Sequence, residues 1–243
     1  MSSSAKSQLL THAIAQLKKK YPLPAEPPSR PVLDEVLFAI LREEIGSAAA
    51  EVAFGRLKQN FFDWNEVRVS TIQEVAETLG ELPEAGAKAQ RIINVLQEVF
   101  DERFSFDLND ISKKGQKQAS KQLGRYKGGA NDFVVAWATF RALGGHALPA
   151  DPGAMRVLFR LRIIDDAKPD DPEEVRTELE TIAPKVKPFE FAELLTQHAA
   201  AVCVAGTPDC PHCVLKGECP TGQELLAKGA VPPAVPKGTP KKK

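Results

Sequence analysis

The four cysteines of this chain are the residues whose type and spacing most plainly allow chemistry. Cys203, Cys210, Cys213 and Cys219 follow the pattern C-x6-C-x2-C-x5-C, and no cysteine precedes them. Thiolates gathered this closely at the end of a helix can wrap one tetrahedral or cubane metal centre. Disulfides match the even count but not a chain whose first residues, Met1-Ser-Ser-Ser-Ala-Lys6, lack the apolar core of a secretion signal. A bound metal is therefore expected, and both zinc and an iron-sulfur cluster suit a set containing a C-x2-C pair. Four cysteines complete either ligand set, so His198 reads as a packing or hydrogen-bonding residue and His212 as an exposed one.

The elements that must position these thiols are helical. Leu9, Leu10, Ala13 and Leu17 form one apolar stripe, Val36, Leu37, Ile40 and Leu41 another, and Ile92, Ile93, Leu96 and Phe100 a third. The segments Phe133–Leu143, Met155–Leu161 and Phe189–Ala201 read as further helices, and no sustained strand alternation interrupts them. Prolines punctuate the chain at 22–31, 149–152, 169–172 and beyond 220. An all-α protein is predicted, with no internal repeat.

Composition excludes several classes. Thirty-two Lys and Arg balance 32 Asp and Glu, with 43% hydrophobic and 26% charged residues, as in ordinary globular proteins and unlike disordered, collagen-like or supercharged chains. No apolar run approaches the roughly 20 residues of a membrane span, so a cytoplasmic protein is expected. The neutral sum hides segregation. Lys113, Lys114, Lys117, Lys121, Arg125 and Lys127 follow one another without an acid, acids dominate 165–180, and four lysines crowd residues 237–243. One face can be basic while the molecule stays neutral, although such runs are often only solvated helix faces.

The cysteine spacing, followed by Pro220, resembles the [4Fe-4S] loop of the endonuclease III-type DNA glycosylases. The similarity extends from about Leu9 to Pro220. Leu37–Leu57 is similar to that family's early core helix, and Leu79–Leu96, with Gly86-Ala-Lys-Ala-Gln-Arg-Ile-Ile93, to the turn and helix before its hairpin. Asp151-Pro-Gly-Ala-Met-Arg-Val157 resembles the family's Asp-Thr-His-hydrophobe-x-Arg-Val segment. The resemblance implies a two-lobed helix-hairpin-helix glycosylase fold. One lobe would span residues 25–144, and 1–24 plus 145–220 would form the other, with 221–243 a disordered basic tail. It favours a [4Fe-4S] cluster on Cys203, Cys210, Cys213 and Cys219, with zinc the alternative.

In that frame the hairpin is Lys127-Gly128-Gly129-Ala130-Asn131, bound to the backbone of double-stranded DNA. Glycines there would let the main chain approach a phosphate, and Asn131, in the position of the family's second glycine, tolerates positive φ. A plain helix–helix turn is the competing account. Asp132 would lie unhelpfully near the phosphate. Asp151 matches the catalytic carboxylate and is also a strong helix start before Pro152. The family's lysine nucleophile falls on Phe133, so lyase chemistry by that route is not expected. Glu44 or Ile45 stands for the glutamine that fills the gap behind a flipped base. The loop Val204–Asp209 has no cation, and Pro152 and Gly153 replace Thr and His. Trp137 reads as core, while Tyr126 could stack on a base and Arg156 could pair with Asp151. The expected function is a monomeric, monofunctional DNA N-glycosylase acting on a damaged or mispaired base. The alternatives are a non-catalytic DNA-binding protein with the same fold and cluster, and a redox-sensing or protein-association cluster protein.

Overall fold

A computed structural model of the chain describes residues 2–164 and 172–229, all helix, turn or loop, with no strand among them. Local chemistry explains where most helices start and stop. Helix α1 (Ser3–Lys20) opens with the Ser2 hydroxyl accepting from the Ala5 amide and closes on Lys18, Lys19 and Lys20, which suit the negative end of the helix dipole. Helices α2 (Val32–Arg42) and α3 (Ser47–Asn60) replace the single helical stretch expected over 37–57. The break follows from positive φ at Glu44 (66°) and Gly46 (83°). Helix α4 (Trp64–Val69) is capped by Asp63, and α5 (Ile72–Leu79) by a reciprocal box between Thr71 and Glu74.

The long helix α6 (Ala85–Arg103) leads through a 3-10 turn at Asn109–Lys114 to α7 (Gln116–Leu123) and α8 (Asp132–Ala142). Helix α9 (Pro152–Arg160) has Asp151 as its N-cap and proline in its first turn. Then come α10 (Pro172–Ile182), α11 (Pro188–Ala201), a short 3-10 turn at Cys210–His212, and α12 (Pro220–Ala227). Residues 220–227 are thus helical where a disordered tail was expected, because Pro220 is pre-organised for a first turn that the Cys219 side chain caps. The lysines of 237–243 lie outside the described residues.

Two apolar cores result. Val36, Leu37, Ile40, Leu57, Val75, Ile92, Leu96 and Trp137 centre the first, which draws on α2 to α8 and borrows Phe189 and Ala192 from α11. The second unites Leu10 and Leu17 of α1 with Leu158, Leu161, Leu179, Phe191, Leu195 and Cys203. Helix α11 therefore serves both cores. Lys6 and Lys18 tie α1 to Glu178 and Glu190 at 2.6 and 2.8 Å.

Candidate functional site

The hairpin is a folded turn between α7 and α8, but its glycines serve a purpose the sequence did not suggest. A Cβ on Gly129 would lie 2.6 Å from the Arg91 carbonyl oxygen and from Val95 Cγ2, and one on Gly128 would lie 2.6 Å from Asn94 Cβ. The glycines are required because α6 presses against the turn. Three α6 side chains hold it there: Arg91 Nη2 donates to the Gly129 carbonyl (2.8 Å), Asn94 Nδ2 to the Gly128 carbonyl (3.3 Å), and Glu98 accepts from the Gly128 amide (3.1 Å). The amides of Lys127, Gly129, Ala130 and Asn131 donate to the carbonyls of Arg125, Tyr126, Tyr126 and Gly129. Every amide from Lys127 to Asn131 thus has an acceptor within the protein.

Asn131 corrects a second expectation. Its φ is −71°, so its tolerance of left-handed backbone is not used. It caps α8 instead, with Oδ1 accepting from the Val134 amide (3.0 Å) and Nδ2 donating to Glu43 Oε1 (2.6 Å). Asp132 is held by Arg176 of α10 at 2.6 Å. Lys127 is exposed, as are Lys113, Lys117, Lys121 and Arg125, which have no ion-pair partner among the described residues; Lys114 pairs with Asp110.

Asp151 sits at the head of α9 between the two cores, 1% exposed. Oδ1 accepts from the Ala154 amide (2.7 Å), and Oδ2 accepts from the Thr196 hydroxyl (2.6 Å) and the Glu44 amide (3.2 Å). Arg42 Nη1 lies 4.0 Å from Oδ2. Arg42, itself wholly buried, donates from Nε and Nη2 to Glu193 Oε1 (3.2 and 3.1 Å), and its guanidinium stands 4.6 and 5.3 Å from the Trp137 and Phe133 rings. Glu193 also accepts from the Ser47 amide and hydroxyl, capping α3 where Gly46 has no side chain to do so. The sequence reading missed Arg42, Glu193 and Thr196. The available signal was phase, since Glu193 falls four residues after Phe189 and between Ala192 and Leu194, on a helix buried nearly all round.

A cleft of about 620 Å³ opens beside this cluster, walled by Asn131, Asp132 and Phe133 on one side and Ala150, Pro152, Met155 and Arg156 on the other. Its lining among the described residues holds arginines but no lysine. The Asp132–Arg176 pair separates it from a broader groove of about 1150 Å³, to which Lys117, Lys121 and Lys127 contribute. Glu44, beside Asp151, is exposed at the α2–α3 turn. Burial and then the Asp151 charge push its carboxyl above the usual range. Ile45 packs against the first core.

The four cysteines line one cavity with Val157, Leu161, Val202, Leu215 and Leu225, without three of them converging as ligands of a single ion would. Donors point at the sulfurs: Leu215 N at Cys213 Sγ (3.3 Å), Gly222 N at Cys219 Sγ (3.3 Å), and Arg160 Nη1 at Cys203 Sγ (3.2 Å). Such donors suit sulfurs that carry negative charge. Burial pushes the Cys213 thiol up to about 11 and raises Cys210 and Cys219 as well. Arg156 does not pair with Asp151 but donates to the Cys203 and Ala199 carbonyls. His198 is buried and bonded to the Tyr21 hydroxyl, and burial pushes its imidazole down to about 4. His212 is exposed, Trp137 is core, and Tyr126 is buried and so presents no stacking face.

No family model and no curated protein matches the chain. Solved structures do. Endonuclease III trapped on DNA as a covalent intermediate is 18% identical at a TM-score of 0.65, over 90% of this chain and 98% of that one. A thermostable thymine-DNA glycosylase is 14% identical at 0.61, over 90% and 98%. The 3-methyladenine DNA glycosylase of H. pylori, bound to 1,N6-ethenoadenine, is 13% identical at 0.57, over 82% and 98%. The fold is that of the helix-hairpin-helix DNA glycosylases. It is an endonuclease III-like form of that fold on a sequence that has diverged widely.

Proposed function

We propose that the protein binds duplex DNA and acts in base-excision repair as a monofunctional N-glycosylase. The observation that carries this reading is Asp151, a buried carboxylate at a helix head between the cores, directly behind a cleft whose wall Ala150 and Pro152 form. Cleavage of an N-glycosidic bond builds positive charge on the sugar, and a fixed anion beneath the cleft stabilises it. With both its oxygens already accepting hydrogen bonds, Asp151 acts mainly through its field while water adds to the sugar, and the base departs with the bonding electrons and takes up the proton that the water loses. No lysine lines the cleft among the described residues and Phe133 is buried, so none of the described residues stands ready to form a Schiff base there.

The exposed cations of α7 and Lys127 grip the phosphates in this reading, since the hairpin amides are engaged internally. Cys203, Cys210, Cys213 and Cys219 hold a [4Fe-4S] cluster that ties the loop after α11 to α9. Anaerobic purification with iron and sulfide analysis tests this, and a zinc-only protein would overturn it.

The functional test is base release from lesion-bearing duplexes by wild type and Asp151→Asn, with strand scission scored with and without alkali. Release that needs alkali for scission and is lost in the variant supports the reading; scission without alkali overturns the monofunctional assignment. A second reading, a non-catalytic DNA-binding protein, draws on the enclosure of Asp151 by Thr196, Glu44 and Arg42. Salt-sensitive duplex binding without release from any substrate would select it.

A further inference from the structure

We infer that Arg42 is a positioning residue for Asp151, holding the carboxylate and setting its field through a charge pair anchored by Glu193. The inference rests on the glycosylase reading for its consequence and on geometry for its content. Two carboxylates, Asp151 and Glu193, face one cation in a region closed to solvent. Their other donors come from helix starts, the α2–α3 turn and hydroxyls: Ala154 N, Glu44 N and Thr196 Oγ1 for Asp151, Ser47 N and Oγ for Glu193.

The guanidinium is fixed on every side. Nε and Nη2 bind Glu193, Nη2 also reaches Thr196 Oγ1 (3.4 Å), and the rings of Phe133 and Trp137 pack against it. Only Nη1 is left without a hydrogen-bond partner, buried and 4.0 Å from Asp151 Oδ2. Thr196 touches both charges and links them. An arginine that merely filled space beside Trp137 would not need a buried carboxylate to aim its fork, nor leave one donor beside a second carboxylate.

The tests are Arg42→Lys, Arg42→Met and Glu193→Gln. In base release, Arg42→Met should lower kcat at least tenfold with KM and duplex affinity unchanged, and Arg42→Lys should recover most of that loss although both variants disturb packing. Glu193→Gln, which keeps the volume and loosens the fork, should fall between them. Equal kcat for the lysine and methionine variants would overturn the inference.

A thermal double-mutant cycle on Arg42→Met and Asp151→Asn reads the same pair without catalysis. The Tm losses should be strongly non-additive, and additive losses would overturn the inference. Should the wild type release no base, the glycosylase reading fails while the cycle still decides whether Arg42 holds Asp151. Should Arg42→Met not fold, the lysine and glutamine variants decide through kcat, each expected to differ from wild type with KM held.

Discussion

Gly129→Ala distinguishes the two explanations of the hairpin glycines. The new methyl would meet the Arg91 carbonyl oxygen and Val95 Cγ2 at 2.6 Å, and the carbonyl belongs to the α6 main chain and cannot swing aside. Restoring an ordinary separation of about 3.4 Å means moving the turn by roughly 0.8 Å. That shift stretches the 2.8 Å bond from Arg91 Nη2 to the Gly129 carbonyl beyond useful length. Overpacking costs about 1–3 kcal/mol, and a lost bond to a charged group about 1.5–3 kcal/mol. Allowing for partial relaxation, a loss of about 3 kcal/mol is expected, or roughly 6–12 °C in Tm for a chain of this size. Gly86→Ala is the control, because nothing lies within 4 Å of its Cβ and alanine favours a helix. Calorimetry gives the stability, and fluorescence anisotropy on duplex DNA below both transitions gives the affinity, expected within about twofold of wild type. A Gly129→Ala variant that melts with wild type but binds DNA ten times more weakly would refute the reasoning and return the glycines to the phosphate.

The remaining predictions concern charge. Glu44 is the first: its carboxyl titrates above the ordinary range, so on acidification it becomes neutral earlier than a free glutamate and ceases to repel phosphates. Duplex affinity at fixed salt should therefore rise as pH falls from 7 toward the usual carboxylate range, more than in Glu44→Gln. The glutamine variant should bind more tightly at neutral pH, and identical pH profiles would discard the idea. Replacing Lys117 and Lys121 by glutamine should weaken binding to all duplex sequences alike and flatten the salt dependence by about 0.9 log–log units for each phosphate no longer neutralised. Cys213→Ser should lose bound iron and melt earlier than wild type, measured by metal analysis and calorimetry; full iron retention would remove Cys213 from the ligand set.

Most of the helical fold was legible because its cues are local: the stripes of α1, α2 and α6, the Asp151-Pro152 start of α9 and the apolar run of α11, whereas the proline that opens α12 was read as the start of a disordered tail. The grouping of four cysteines was legible for the same reason. The hairpin stands where the glycine pair places it, but for a different physical cause, since a glycine pair does not say whether a phosphate or a helix approaches it. Arg42 and Glu193 meet across 151 residues, and nothing in either neighbourhood names the other. A turn also looks the same with Asn131 as a positive-φ residue or as a cap, and only the observed −71° separates them. Long-range charge pairing and close approach are properties of the assembled chain, and local pattern is silent on both.

The division of the cores has a consequence for how the chain is made. Helix α1 packs with segments that follow the contiguous part of the first core, and its Lys6 pairs with a glutamate 172 positions later. During synthesis its buried face, Leu10 to Leu17, leaves the ribosome long before Phe191 and Leu195 exist to cover it. The contiguous segment 32–138 can meanwhile collapse, because most of its apolar partners lie within itself. Closing the second core then requires joining distant ends of the chain, a slow step whose entropic cost grows with the separation bridged. Until that step, α1 is the stretch most exposed to chaperones or to unwanted association, and α11 is the element whose arrival completes both halves.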